Sequence, residues 1–204
     1  MNRRNALQSI ASWALAAGGA GLLAACSESK PQFKSIDLTG ADYAKDFQLA
    51  DHNGQPRSLK DFRGKLVVLF FGYTQCPDVC PTTMAELAEA KKLMGPDGNK
   101  VQGIFVTVDP ERDTADVLKG YMANFDPTFL ALRGTPDQVA VLAKDFKVYF
   151  KKVDGKTPTS YTMDHSAASF VYDTQGRLRL YTRYGSGAQS LASDLQLLLK
   201  HSEA

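Results

Sequence analysis

Two cysteines separated by three residues, Cys76 and Cys80, lie in the segment Phe70-Phe71-Gly72-Tyr73-Thr74-Gln75-Cys76-Pro77-Asp78-Val79-Cys80-Pro81. An apolar run precedes them and a helical pattern follows, so both thiols fall between a buried strand and a helix N-terminus. Unpaired N–H groups at such a terminus favour negative charge and lower a thiol pKa. Thiolate is the nucleophile of thiol–disulfide exchange and also a ligand for soft metals, so the location admits either chemistry. A bridge between the two would close too small a loop to restrain the unfolded chain much, so a structural staple explains the pair poorly. A third candidate is His165, in Met163-Asp164-His165-Ser166, just ahead of another apolar run. Two sulfurs and one imidazole nitrogen form a compact set of the kind copper takes. Thiolates suit Cu(I), and imidazole also lets such a site hold Cu(II).

The elements that must position these groups are legible from periodicity. Continuous apolar runs at 66–71 and 102–108 read as buried strands. A helix fits residues 82–94, with Pro81 at its first position and Gly95-Pro96 ending it. Asp113 or Thr114 caps a helix reaching about residue 125, and Thr135 caps another from Pro136 to near Phe146. A short strand falls at 128–132. One hairpin precedes the cysteine strand, turning at His52-Asn53-Gly54, and residues 59–62 form one helical turn. A second hairpin pairs 148–152 with 160–163 and a third pairs 167–172 with 178–182. Residues 188–200 close the chain as a helix with Leu191, Leu195, Leu198 and Leu199 on one side. The order βαβ, α, ββα is that of an α/β thioredoxin-like fold, here with an N-terminal hairpin and an inserted hairpin. In that fold the position of His165 commonly holds a cis-proline facing the redox cysteines. Here it holds a histidine, so the imidazole is expected to face Cys76 and Cys80.

The 204 residues are 44% hydrophobic and 23% charged, which excludes a disordered or disulfide-dense chain. The first 25 residues carry Arg3 and Arg4, then an apolar stretch rich in Ala and Gly, and end in Leu23-Ala24-Ala25, just before Cys26. This resembles the signal peptide and lipobox of bacterial lipoproteins, which implies cleavage before Cys26 and lipidation of its thiol. Residues 26–39 then form a lipidated tether and residues 40–204 the folded domain. The formal charge of +2 resides in Arg3 and Arg4, so cleavage leaves a neutral chain. Neither that balance nor any basic run points to nucleic acid. Export places the remaining two cysteines in an oxidising compartment on the outer side of a bacterial membrane. The route, Sec or twin-arginine, and the choice of membrane stay open.

The motifs converge further. Cys76-Pro77-Asp78-Val79-Cys80-Pro81, then Val108-Asp109-Pro110-Glu111-Arg112-Asp113-Thr114, then Asp164-His165 stand in one order ahead of compatible elements. Together they resemble the Sco/SenC family of copper proteins over roughly residues 40–200. The resemblance implies copper bound by Cys76, Cys80 and His165, and redox activity of the cysteine pair. It also implies partnership with the dinuclear copper (CuA) site of cytochrome c oxidase subunit II, or with another exported copper protein. The same residues admit a thiol–disulfide reductase that keeps a target's cysteines reduced, or a copper or redox sensor. Many members are held by a transmembrane helix, whereas this chain reads as lipid-anchored.

Around this set, Asp78 tunes the site's charge or is simply solvated. Asp109, Arg112 and Asp113 support the cysteine loop or form a turn and helix cap. Asp164 orients His165 or bonds backbone. Tyr73 and Phe71 flank the site as packing residues, and Met84 and Met163 belong to the core or surface. His52 and His201 are expected in solvent. A peroxidatic reading fails because Thr74 stands two residues before Cys76 and the expected proline is missing.

Overall fold

The computed structural model describes residues 31–157 and 160–202. The signal segment, Cys26 and most of the tether therefore lie outside the described residues. Ten strands and four α-helices are present among them. The strands are β1 (Ile36–Asp37), β2 (Leu49–Asp51), β3 (Pro56–Arg57), β4 (Leu66–Gly72), β5 (Val101–Thr107), β6 (Leu130–Arg133), β7 (Phe150–Val153), β8 (Thr162–His165), β9 (Ala168–Tyr172) and β10 (Leu178–Arg183). The helices are α1 (Val79–Leu93), α2 (Ala115–Met122), α3 (Pro136–Asp145) and α4 (Ala188–Ser202). Eight strands form one sheet in the order β1-β10-β9-β4-β5-β6-β2-β3. The central strand β4 runs parallel to β5 and antiparallel to β9. This is the thioredoxin-like architecture, with both expected hairpins present.

The position of β4 follows from its composition. All seven of its residues are buried, as a strand covered on both faces requires. Side chains alternate between faces. Phe71 packs edge-on against Phe146 and Phe170, at ring separations of 5.2 and 6.4 Å, and so does not flank the cysteine loop as the sequence suggested. Its neighbour Phe70, on the opposite face, does. At the end of β4, Gly72 leaves no room for a side chain. A Cβ there would stand 2.8 Å from the Cys80 sulfur and equally close to the rings of Phe70 and Phe105. Glycine thus lets the helix carrying Cys80 close onto the sheet.

Helix α1 starts at Val79, three residues ahead of the expected start, which places Cys80 inside its first turn. The N–H groups of a first turn have no intrahelical partner, so Pro81 is tolerated as the third helical residue and the helix extends back past it. Helices α2 and α3 begin where expected, with the Thr114 and Thr135 side chains accepting from Val117 and Gln138 N–H. The turn at 59–62 is a 3-10 helix. His52 is not free in solvent: its Nδ1 accepts from the Ala131 N–H (3.1 Å) and its own N–H donates to the Ala131 carbonyl (2.9 Å), pinning the first hairpin to β6. At the opposite edge, the buried Asp194 of α4 accepts from the N–H groups of Lys34 and Ser35 at 2.8 and 2.7 Å, fixing the chain just before β1.

The inserted hairpin stands apart. Strands β7 and β8 pair only with each other, in the register Phe150↔His165, Lys151↔Asp164, Lys152↔Met163 and Val153↔Thr162. His165 is thus the last residue of a two-stranded ribbon outside the main sheet.

Candidate metal centre

Three elements converge at the C-terminal end of β4. The loop after Gly72 carries Cys76, the first turn of α1 carries Cys80, and the end of β8 carries His165. Their ligand atoms all lie within 4.8 Å of one another. The backbone N–H of Cys80 points to Cys76 Sγ at 3.4 Å, and Cys80 Sγ lies 3.4 Å from His165 Nε2. Both cysteines are free thiols. Cys80 is fully buried, whereas Cys76 is half-buried at the rim. His165 stands opposite the cysteines, and the described residues contain no cis peptide.

The imidazole is oriented as a ligand would be. Its Nδ1 stands 3.0 Å from the Ser166 carbonyl. A carbonyl only accepts, so Nδ1 carries the proton and Nε2 turns its lone pair toward the sulfurs. Ser166 is itself fixed, donating its N–H to the Tyr149 carbonyl (2.9 Å) and accepting the Tyr149 N–H on its Oγ (3.0 Å). Phe70 and Tyr73 approach the imidazole edge-on, at ring separations of 5.8 and 5.9 Å. Burial holds the His165 pKa below its ordinary value, which keeps the ring neutral at neutral pH. Asp164 is exposed and is not the partner of Nδ1.

Cys80 departs from the expectation of an easily ionised thiol. Burial drives its pKa far up, and the neighbouring Cys76 and Asp113 push the same way, against one hydrogen bond from the Tyr73 backbone. Desolvation therefore outweighs the helix N-terminus at this position. A cation bound among the three groups would reverse the balance by displacing the proton.

The second motif forms the bracket behind the site. Asp113 is fully buried and accepts from Thr107 Oγ1 (2.6 Å), Thr74 Oγ1 (2.6 Å) and Thr74 N–H (3.1 Å). Thr74 stands two residues before Cys76, so this carboxylate ties the cysteine loop to β5. Arg133 holds the same turn through the carbonyls of Asp113 and Pro110 at 3.0 and 2.9 Å. Asp109, 3% exposed, pairs with Arg112 Nε and accepts the Tyr161 hydroxyl at 2.8 Å. Arg112 Nη1 donates to Gln75 Oε1 (3.1 Å) and to the Tyr161 carbonyl (2.9 Å). Burial first, then the hydrogen bond to Asp109, pushes the Tyr161 phenol up to about 12, so it stays a donor. Asp78 is exposed, 3.5 Å from the Tyr184 hydroxyl. Met84 and Met163 are buried core residues. His201 lies exposed at the end of α4.

Thr74, Gln75, Thr107 and Tyr161 were missed by the sequence reading. Only Tyr161 carried a signal, being spaced with Met163 and His165 at the period of one strand face. Replacement of Asp113 by Ala should lower stability by about 2–4 kcal/mol, since it strands three donors, two of them on the cysteine loop. Asp113→Asn, which keeps one acceptor oxygen, should cost less. Urea unfolding of the reduced protein measures both, and equal stability of Asp113→Ala and the parent would refute the bracket.

Comparison with known proteins completes the picture. The family model described as SCO1/SenC matches residues 37–200. The mitochondrial SCO2 homolog of Mus musculus is 37% identical over 158 residues, covering 76% of this chain and 61% of its own length. The chain thus spans about three-fifths of the length of that relative. The structure of Bradyrhizobium japonicum ScoI with copper bound superposes with a TM-score of 0.69 at 42% identity, covering 76% of this chain and 98% of that one. The solution structure of apo Sco1 from Thermus thermophilus gives a TM-score of 0.71 at 38% identity, covering 83% and 97% respectively.

Proposed function

Because the chain belongs to the SCO1/SenC family, we propose that it is a copper-binding assembly factor that carries the ion on Cys76, Cys80 and His165. The observation that carries the reading is the convergence of two thiols and one oriented imidazole within 4.8 Å. The donor set fits the cargo. Two thiolates satisfy Cu(I), and the neutral imidazole adds the nitrogen that Cu(II) prefers. The copper-bound relative at 42% identity supports the same assignment.

The client is the CuA site of cytochrome c oxidase subunit II, or another exported copper protein with thiol ligands. Transfer needs no turnover chemistry. The incoming thiolates replace the carrier's ligands one at a time, while the bracket of Asp109, Arg112 and Asp113 keeps the cysteine loop in shape. The domain works outside the cytoplasm of a bacterial cell, held to the envelope by lipid on Cys26. No helix among the described residues is long and apolar enough to cross a membrane.

A second reading is favoured by the two free thiols meeting at one helix start. In it the protein reduces a disulfide in the client, which prepares that client's cysteines for metal. The two activities serve the same end, since only reduced cysteines accept copper.

The test is an anaerobic titration of the reduced protein with Cu(I) and then Cu(II) against a chromophoric competitor. Tight binding of one equivalent is expected. Weak, non-stoichiometric binding, with Cys76 and Cys80 still oxidising readily, would overturn the copper reading and leave the reductase.

A further inference from the structure

His165 is delivered by a ribbon with few attachments of its own. Three of the four residues of β7 are exposed, and β8 buries only Met163 fully. Neither strand pairs with the main sheet. Between the ribbon and the domain lies a cavity of about 140 Å³, lined by Val108, Val139, Phe150, Tyr161 and Met163 among others. The ribbon's own packing into the core is thus limited to Phe150, Tyr161 and Met163, and the position of His165 rests also on the contacts that fasten these residues.

The fastening is concentrated at Tyr161. This residue precedes β8 and points inward, as Met163 and His165 do. The Arg112 guanidinium lies 3.5 Å from the centre of its ring, and the Lys152 ammonium lies 3.8 Å from it. Its hydroxyl donates to Asp109, and its carbonyl accepts from Arg112. One aromatic ring thus joins the ribbon, through Lys152, to the β5–α2 loop, through Asp109 and Arg112. Arg112 Nη2 is buried without a hydrogen-bond partner, so the guanidinium is placed by its stack on the ring as well as by its bonds. That loop also holds the cysteines, by way of Gln75 and Thr74.

We infer that Tyr161 is a positioning residue for His165: clasped by two cations and bonded to Asp109, it holds the ribbon so that the imidazole faces the thiol pair. The inference rests on the copper reading for its consequence, though not for its geometry. Cu(I) is held by the two sulfurs, which the clasp does not touch directly. Cu(II) needs the nitrogen as well. Loosening the clasp therefore shifts the balance between the two oxidation states without removing a ligand.

The experiment compares the reduced parent protein with Tyr161→Leu and Tyr161→Phe, first metal-free and then loaded. In the metal-free state, long-range proton–nitrogen NMR reads the His165 tautomer. The parent should hold the Nδ1–H form against the Ser166 carbonyl. Tyr161→Leu should relax toward the mixture of a free imidazole. On loading, Tyr161→Leu should lose about tenfold in Cu(II) affinity, as supporting residues behind a metal ligand typically cost. Its thiolate-to-copper absorption should weaken too, with Cu(I) affinity nearly unchanged. Tyr161→Phe keeps the ring and its two cations and should recover most of both signals. An unchanged tautomer and unchanged Cu(II) spectrum in folded Tyr161→Leu would overturn the inference. If that variant does not fold, Tyr161→Met, which also removes the ring, takes its place, a tautomer shift supporting the clasp and none overturning it. If the parent itself shows no thiolate–Cu(II) absorption, the copper reading fails, and the tautomer alone decides the role of Tyr161.

Discussion

Replacing Cys76 and Cys80 together by serine should weaken Cu(I) binding by at least about a thousandfold, which corresponds to about 4 kcal/mol. No other cysteine, histidine or acidic side chain joins the group among the described residues, so the variant keeps a single imidazole. A hydroxyl is a hard donor and does not stand in for a thiolate toward Cu(I). The fold should survive. Serine is smaller than cysteine, and the N–H of Tyr73 that faces the Cys80 sulfur remains available to the new oxygen. Far-ultraviolet circular dichroism checks the fold, and competition with a Cu(I) chelator reads the affinity. Retention of stoichiometric Cu(I) by a folded double variant would mean that copper sits elsewhere on the chain.

Replacing His165 by alanine should divide the two oxidation states. Cu(II) affinity is expected to fall by about a hundredfold, equivalent to about 3 kcal/mol. Cu(I) affinity should fall by less than about tenfold, since two thiolates alone retain Cu(I). The structure sharpens the expectation, because the imidazole is neutral, correctly protonated and 3.4 Å from a sulfur before any ion arrives. Little reorganisation is left for the ion to drive, so the loss reports the nitrogen's own contribution. Equal losses for both oxidation states would refute the division of labour. Unchanged binding of both would remove His165 from the ligand set.

The cysteine pair and His165 were legible in the sequence because each sits at the end of an element with a strong pattern. The apolar run of β4 announced a buried strand, and the register ahead of β9 announced where His165 would stand. The supporting residues were harder to read. Asp113 reads in the sequence either as a helix cap or as support for the cysteine loop; Thr114 does the capping, and the carboxylate gathers two threonines from separate segments. Nothing local in the sequence distinguishes a carboxylate that caps its own helix from one that reaches across 39 residues to Thr74. Phe70 and Phe71 were likewise inseparable in a continuous apolar run, where alternation of faces leaves no polar mark. Pro81 looks like a helix opener, which places the expected start of α1 three residues late, although a proline fits anywhere in the first turn. The thiol pKa failed for another reason: helix polarity is visible in sequence, whereas burial of Cys80 against Gly72 is a property of the closed fold.

The unequal burial of the two sulfurs gives the site a single door. A thiol of another protein can reach Cys76 at the rim but not Cys80, which is fully buried against Gly72. If the site works as proposed, an exchange of an ion or of a disulfide would begin at Cys76 and finish at Cys80. Cys76 would meet the incoming thiol first, and Cys80 would release the ion last, or resolve the mixed disulfide from within. That order of entry would follow from where each sulfur sits, Cys76 in the half-exposed loop and Cys80 buried in the first turn of α1.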